Sequence, residues 1–191
     1  MSGGVFSLLS VDKFIGGSDE VDHNVTYTSA DEVVPGLWIG NQASAADINF
    51  LKKHDIKTII NCSTHIPFVE HHKHKRVAVR IPVLDPGPFK SLGQKDIDKM
   101  YTALPKAISI IKKSIEKGGV LVHCHAGMQR SAAVIVAYLA QFHFNNCKPD
   151  EAYERAVSFL QEKRPRVFYH GWHVNFQSAI KKYLKYYIKC R

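Results

Sequence analysis

Apolar residues return along this chain at two spacings, and the changes between them mark out the elements. Short runs rich in β-branched side chains occur at 33–40, 57–62, 77–83 and 120–122, bounded by glycine, proline or polar residues. Such runs predict strands, buried on both faces where the apolar character is unbroken, as in Val120-Leu121-Val122. Elsewhere the spacing is three or four. Ile48 and Leu51 predict a helix capped by Ser44 and running to about His54. Ile97, Met100, Tyr101, Leu104, Ile108, Ile111 and Ile115 predict a longer one, kinked at Pro105. Pro149 opens another, with Ala152, Tyr153, Ala156, Val157 and Leu160 on its inner face, and Lys163-Arg164-Pro165-Arg166 ends it. In the last helix Trp172, Phe176, Ala179, Ile180, Tyr183, Leu184 and Tyr187 lie opposite Lys181, Lys182, Lys185 and Lys189. Ala132 to Ala140 is apolar on every side, which predicts a helix enclosed by protein and capped by Ser131.

Strands alternating with helices predict one α/β domain over residues 31–190, with a mainly parallel central sheet and helices on both faces. Residues 1–30 stand apart. Val5, Phe6, Leu8, Leu9, Val11, Phe14 and Ile15 lie between Gly3-Gly4 and Gly16-Gly17 and carry too much apolar surface for an ordinary tail. A short helix docked on its own domain or on a second subunit is expected, the latter making a homodimer through residues 1–17.

The chemistry gathers where the 120–122 run meets the enclosed helix. Between them lies His123-Cys124-His125-Ala126-Gly127-Met128-Gln129-Arg130-Ser131. A loop entering a helix N-terminus turns backbone N–H groups inward and forms a nest for anions. The same field favours the thiolate of Cys124, the nucleophilic form. Arg130 adds a planar fork that grips two oxygens of a phosphate. His123-Cys124, five residues, then Arg130-Ser131 resembles the signature of the cysteine-dependent protein phosphatases. Val120-Leu121-Val122 before it and Ala137-Tyr138-Leu139 after it are similar to the small dual-specificity branch. The opening strands at 33–40, the apolar strand ending in Asn61 and the Lys163-Arg164-Pro165 stretch extend the resemblance over residues 30–188. Catalytic loop and buried helix would then follow a central strand, in a protein-phosphatase-like fold.

The resemblance implies a role for each residue. Cys124 is the nucleophile, forming a phosphocysteine intermediate held by Arg130 and by the loop amides of His125, Ala126, Gly127, Met128, Gln129 and Arg130. Ser131 eases departure of the thiolate, and His123 orients the loop. The general acid belongs on a loop after the strand ending Ile81-Pro82-Val83, where Asp85-Pro86-Gly87-Pro88 makes a rigid turn. Asp85 is the first choice and Asp96 and Asp98 are rivals, although a helix start explains an Asp without chemistry. No metal or organic cofactor is implied. Phosphorylated proteins are the expected substrates, carrying phosphotyrosine and also phosphoserine or phosphothreonine. Two alternatives remain: an RNA 5′-phosphatase or triphosphatase, and a phospho-binding module without turnover.

Composition adjusts this reading at a few points. The 191 residues carry a formal charge of +9, which suits anionic partners. The basic clusters at 71–76 and 163–166 read as solvated faces rather than a nucleic-acid surface. His65, His71, His72 and His74 read as a polar loop rather than a zinc site. The four cysteines, at 62, 124, 147 and 190, show no paired spacing. Together with the absence of a spanning apolar stretch or a basic signal region, they point to a soluble cytoplasmic protein with access to the nucleus.

Overall fold

Every β-branched run becomes a strand in the computed structural model, which describes residues 28–69, 76–84, 92–168 and 176–189. β1 (Ala30–Val34) and β2 (Leu37–Gly40) make an antiparallel hairpin that turns at Gly36, whose φ of +78° favours glycine. β3 (Ile56–Asn61), β4 (Val77–Arg80) and β5 (Gly119–His123) pair in parallel, β5 lying between β2 and β3. The five-stranded sheet has the order β1-β2-β5-β3-β4, mainly parallel as expected. All of β5 is buried, as a central parallel strand must be when both faces are covered.

Alternate strand residues serve two cores. Leu37, Ile39, Ile60, Val120 and Val122 pack with the large helices, whereas Ile56, Ile59 and Leu121 pack with Leu51 and Phe50 on the opposite face. The larger core is built around α4 (Arg130–Phe142), buried from Arg130 through Ala140. It is enclosed by α3 (Gln94–Ser114), α5 (Pro149–Lys163), α6 (Gln177–Lys189) and the sheet, which is why its sequence can be apolar on every side.

Several boundaries differ from the sequence reading. The helix expected from Ser44 is two: α1 (Gln42–Ala46), capped by the Asn41 side chain, and α2 (Ile48–Lys53), capped by Asp47. Ser44 sits inside α1, where it is buried and its hydroxyl donates to the Asn41 carbonyl at 2.8 Å. The Asp47 carboxylate accepts the N–H groups of Asn49 and Phe50, which restarts the helix there. Strand β4 stops at Arg80 because Pro82 has no N–H to give and Val83 N–H turns back to the Ile81 carbonyl at 2.9 Å. Helix α3 continues through Pro105. Phe176 is buried just ahead of α6, while Trp172 and the segment 1–17 lie outside the described residues.

The carboxyl ends of the strands hold the buried polar groups. Asn61 accepts from the Ser63 backbone and hydroxyl and donates to the Ile66 carbonyl, and Arg80 donates to the carbonyls of Ser63 and Ile66. His123 ends β5 with 1% of its surface exposed. Burial pushes its pKa from 6.5 down to about 4; Arg80 and Arg130 add to the shift, and the contact of Nδ1 with the Cys124 carbonyl opposes it. It is therefore neutral near pH 7. Because the folded value lies below the unfolded one, the stability it contributes is complete above pH 6.5 and is lost as pH falls towards 4. The loss is on the order of 3 kcal/mol. Urea unfolding at a series of pH values should show this acid-side slope in the native chain and a shallower one in His123→Asn. Equal slopes in the two proteins would contradict it.

Candidate active site

The active-site loop fills the gap between the last residue of β5 and the first of α4. Gly127 makes it pass: its φ is +71°, and a Cβ there would lie 2.6 Å from the Gly40 carbonyl oxygen. The loop carbonyls turn away from Cys124 into the protein. His125 O accepts from Gln42 N–H at 3.1 Å, Ala126 O from Arg164 Nη2 at 3.2 Å and Gly127 O from Arg164 Nε at 2.9 Å. Met128 O accepts from Phe168 N–H at 3.1 Å, and Gln129 O from Ala133 N–H at 2.9 Å.

Cys124 lies on the other side of this ring, buried, at the end of the central strand. Gly127 N–H donates to its Sγ at 3.3 Å, and Ser131 Oγ lies 3.4 Å from the same sulfur. Burial pushes the thiol pKa up. The Arg130 guanidinium, the Ser131 hydroxyl and the backbone N–H groups of Ser131 and Met128 outweigh it, leaving the thiol more acidic than an ordinary cysteine. A second thiol serves as an internal comparison. Cys62, whose N–H donates to the His123 carbonyl at 2.7 Å, is raised by burial and by the charge of Cys124, with Arg130 only partly opposing. Of two buried thiols beside one arginine, only the one inside the loop becomes acidic, with Arg130 the largest lowering influence and the loop donors adding to it.

Ser131 is not the helix cap that its sequence position suggests. Helix α4 begins one residue earlier, and its N-cap is Gln129, which makes no side-chain capping bond. The Ser131 hydroxyl is turned to sulfur instead. Arg130 is buried in the first turn, its Nη1 3.5 Å from the Val83 carbonyl. His125 and Ala126 are exposed, Met128 is half-buried and Gln129 is buried.

The loop thus brings together Cys124, Gly127, Arg130 and Ser131. Asp85, His71, His72 and His74 fall outside the described residues. Of the two rivals to Asp85, Asp96 lies half-buried in the first turn of α3, whose N-cap is Gly93, and Asp98 is exposed and accepts from Gln94 Nε2 at 3.0 Å. Among the described residues no three His, Cys, Asp or Glu side chains are grouped to hold a metal ion.

Sequence reasoning missed the outer supports of the loop. Arg164, read as part of a solvated basic cluster, is only 9% exposed. Its Nη1 donates to Asp31 Oδ2 at 2.5 Å and to the Thr28 carbonyl at 3.3 Å. A proline directly after it marks where the chain must leave the helix, the one signal that Arg164 differs from its helical neighbours. Gln42 and Phe168 act through backbone N–H groups and have no signal of that kind.

Known proteins resemble the chain along most of its length. The family model for the dual specificity phosphatase catalytic domain matches residues 37–184. A probable dual specificity protein phosphatase of Dictyostelium discoideum is 33% identical over 138 residues, covering 72% of this chain and 56% of that protein. Human dual specificity protein phosphatase 7 is 30% identical over 137 residues, covering 71% of this chain and 29% of that one. The chain therefore matches about half or less of the length of these curated relatives. The crystal structure of human DUSP28 superposes with a TM-score of 0.67 at 22% identity, covering 84% of this chain and 96% of the other. With the cysteine loop intact and the family model spanning strands, loop and helices, the chain belongs to the dual-specificity phosphatases of the cysteine-dependent phosphatase superfamily.

Proposed function

We propose that the protein hydrolyses phosphotyrosine, and also phosphoserine or phosphothreonine, in phosphorylated proteins through a phosphocysteine intermediate. The observation that carries the reading is the acidified Cys124 thiol, with Gly127 N–H and Ser131 Oγ within 3.4 Å of sulfur and Arg130 beside it. Thiolate attacks phosphorus in line. The S–P bond forms as the bond to the leaving oxygen breaks, and that oxygen takes the proton of Asp85. Arg130 and the amides of His125 to Arg130 hold the equatorial oxygens as charge builds. Water then attacks phosphorus, giving its proton to Asp85, and the S–P bond breaks to release inorganic phosphate. The Ser131 hydroxyl stabilises the departing thiolate, and neutral His123 steadies the loop from the strand end. A thiolate nucleophile needs no Lewis acid, so no cofactor enters the scheme.

Asp85 is favoured because Arg130 touches the Val83 carbonyl, which brings the chain leading to Asp85 to the loop. Asp98 is occupied by Gln94, and Asp96 suits the positive end of α3. A phospho-binding module is disfavoured by the joint presence of Cys124, Arg130 and Ser131, and an RNA 5′-phosphatase by the family matched. A cytoplasmic location is supported by the unpaired thiols of Cys62, Cys124 and Cys147. No helix among the described residues is long and apolar enough to cross a membrane. A homodimer through residues 1–17 is supported by their apolar pattern alone.

Three substitutions test the scheme. Cys124→Ser should abolish turnover of an aryl phosphate, which in the native chain should be indifferent to chelator, while phosphate still binds. Turnover surviving in that variant would sink the mechanism. Arg130→Lys keeps the charge but loses the fork, and kcat/KM should fall about 10²-fold or more. A fall of less than about threefold would remove Arg130 from that role. Asp85→Asn should slow substrates with poorly acidic leaving groups roughly 10²-fold and activated ones far less. If Asp96→Asn or Asp98→Asn shows that dependence instead, the acid is misassigned.

A further inference from the structure

The ring of outward carbonyls raises the question of what holds it, and one side chain supplies two of its five donors. Arg164 stands directly after α5, buried beneath the loop on the side away from Cys124. Its Nε and Nη2 take the carbonyls of Gly127 and Ala126, and its Nη1 is anchored by Asp31 of the first strand and by the Thr28 carbonyl just before it. The peptide plane links the two faces. The Gly127 N–H that donates to Cys124 Sγ belongs to the peptide whose carbonyl is Ala126 O, the atom held by Nη2. A peptide is rigid and planar, so fixing its oxygen on one side fixes its N–H on the other. The next peptide is held in the same way: Gly127 O is fixed by Nε, and its partner N–H is that of Met128, another of the donors to sulfur. The left-handed φ of Gly127 leaves this stretch free to turn over if its carbonyls are released.

We propose that Arg164 is a positioning residue for the phosphate loop, holding the Ala126–Gly127 and Gly127–Met128 peptides with their N–H groups toward Cys124, and that Asp31 fixes Arg164 for that task. The inference rests on Cys124 as nucleophile. Arg164 touches neither the sulfur nor the substrate phosphate; it acts through two peptide planes. A side chain that only cemented α5 to β1 would change the stability of the fold and leave the sulfur unaltered, which separates the two roles.

The test reads the sulfur directly. Groups facing Cys124 are Arg130, Ser131, Cys62 and the loop amides, and none of them is altered in Arg164→Lys or Asp31→Asn. Lysine keeps the charge but cannot serve two carbonyls and a carboxylate set apart around a planar fork. The rate of alkylation of Cys124 by iodoacetamide, assigned by peptide mass, is followed against pH in the native chain and in both variants. The midpoint should rise by roughly one pH unit in Arg164→Lys, the scale of one weakened charge-assisted hydrogen bond. It should rise by less in Asp31→Asn, and kcat/KM for an aryl phosphate should fall at least about tenfold in Arg164→Lys, in line with a loosened oxyanion site. A midpoint unchanged in folded variants overturns the proposal, however far their melting temperatures drop. If Arg164→Lys does not fold, the Asp31→Asn midpoint decides alone. Should these midpoints stay put while Cys124→Ser still abolishes turnover, the positioning role fails and the catalytic reading stands. Turnover in Cys124→Ser would bring down both.

Discussion

A loop that turns its N–H groups toward one point must turn its carbonyls the other way, and here the other way is the protein interior. A buried carbonyl without a donor costs about 1–3 kcal/mol. Several left unmet would outweigh much of the stability of an ordinary domain. The fold meets this demand from several sides: Gln42 at the start of α1, Arg164 after α5, Phe168 in the turn beyond, and Ala133 within α4. The position of each of these elements is bound to the loop as firmly as the loop is bound to them.

The same arrangement explains why one thiol differs from its neighbour. Cys62 and Cys124 share the core at the ends of adjacent strands, and Arg130 lowers both. Burial opposes ionisation of both as well. Only Cys124 receives the hydroxyl of Ser131 and the loop amides. At Cys124 the Arg130 charge is the largest lowering influence and the directed donors add to it; at Cys62 those donors are missing and the charge of Cys124 opposes ionisation.

The sheet, the enclosed helix and the Cys124–Arg130 loop were legible because each is written locally. Val120-Leu121-Val122 between glycine and histidine can be little else than a buried strand, and nine apolar residues in a row need protein all round. Helix caps were less legible. Ser44 and Ser131 both have the right chemistry in the right place, yet Asn41 and Asp47 cap the early helices and the Ser131 hydroxyl goes to sulfur. Arg164 was hidden for a different reason. Beside Lys163 and Arg166 it reads as one more surface charge, and its partner Asp31 is separated from it by 133 positions. Backbone donors such as Gln42 and Phe168 leave no trace in side-chain identity, so only the folded chain shows them.

That long separation has a consequence for how the protein is made. Strand β1 leaves the ribosome first, while Arg164 and Phe168 emerge only after α5 has been translated. Until then the loop carbonyls of Ala126, Gly127 and Met128 lack their protein donors. A domain generally folds as a unit as it emerges. The full set of donors around the loop can therefore be assembled only once residues through Phe168 have been released.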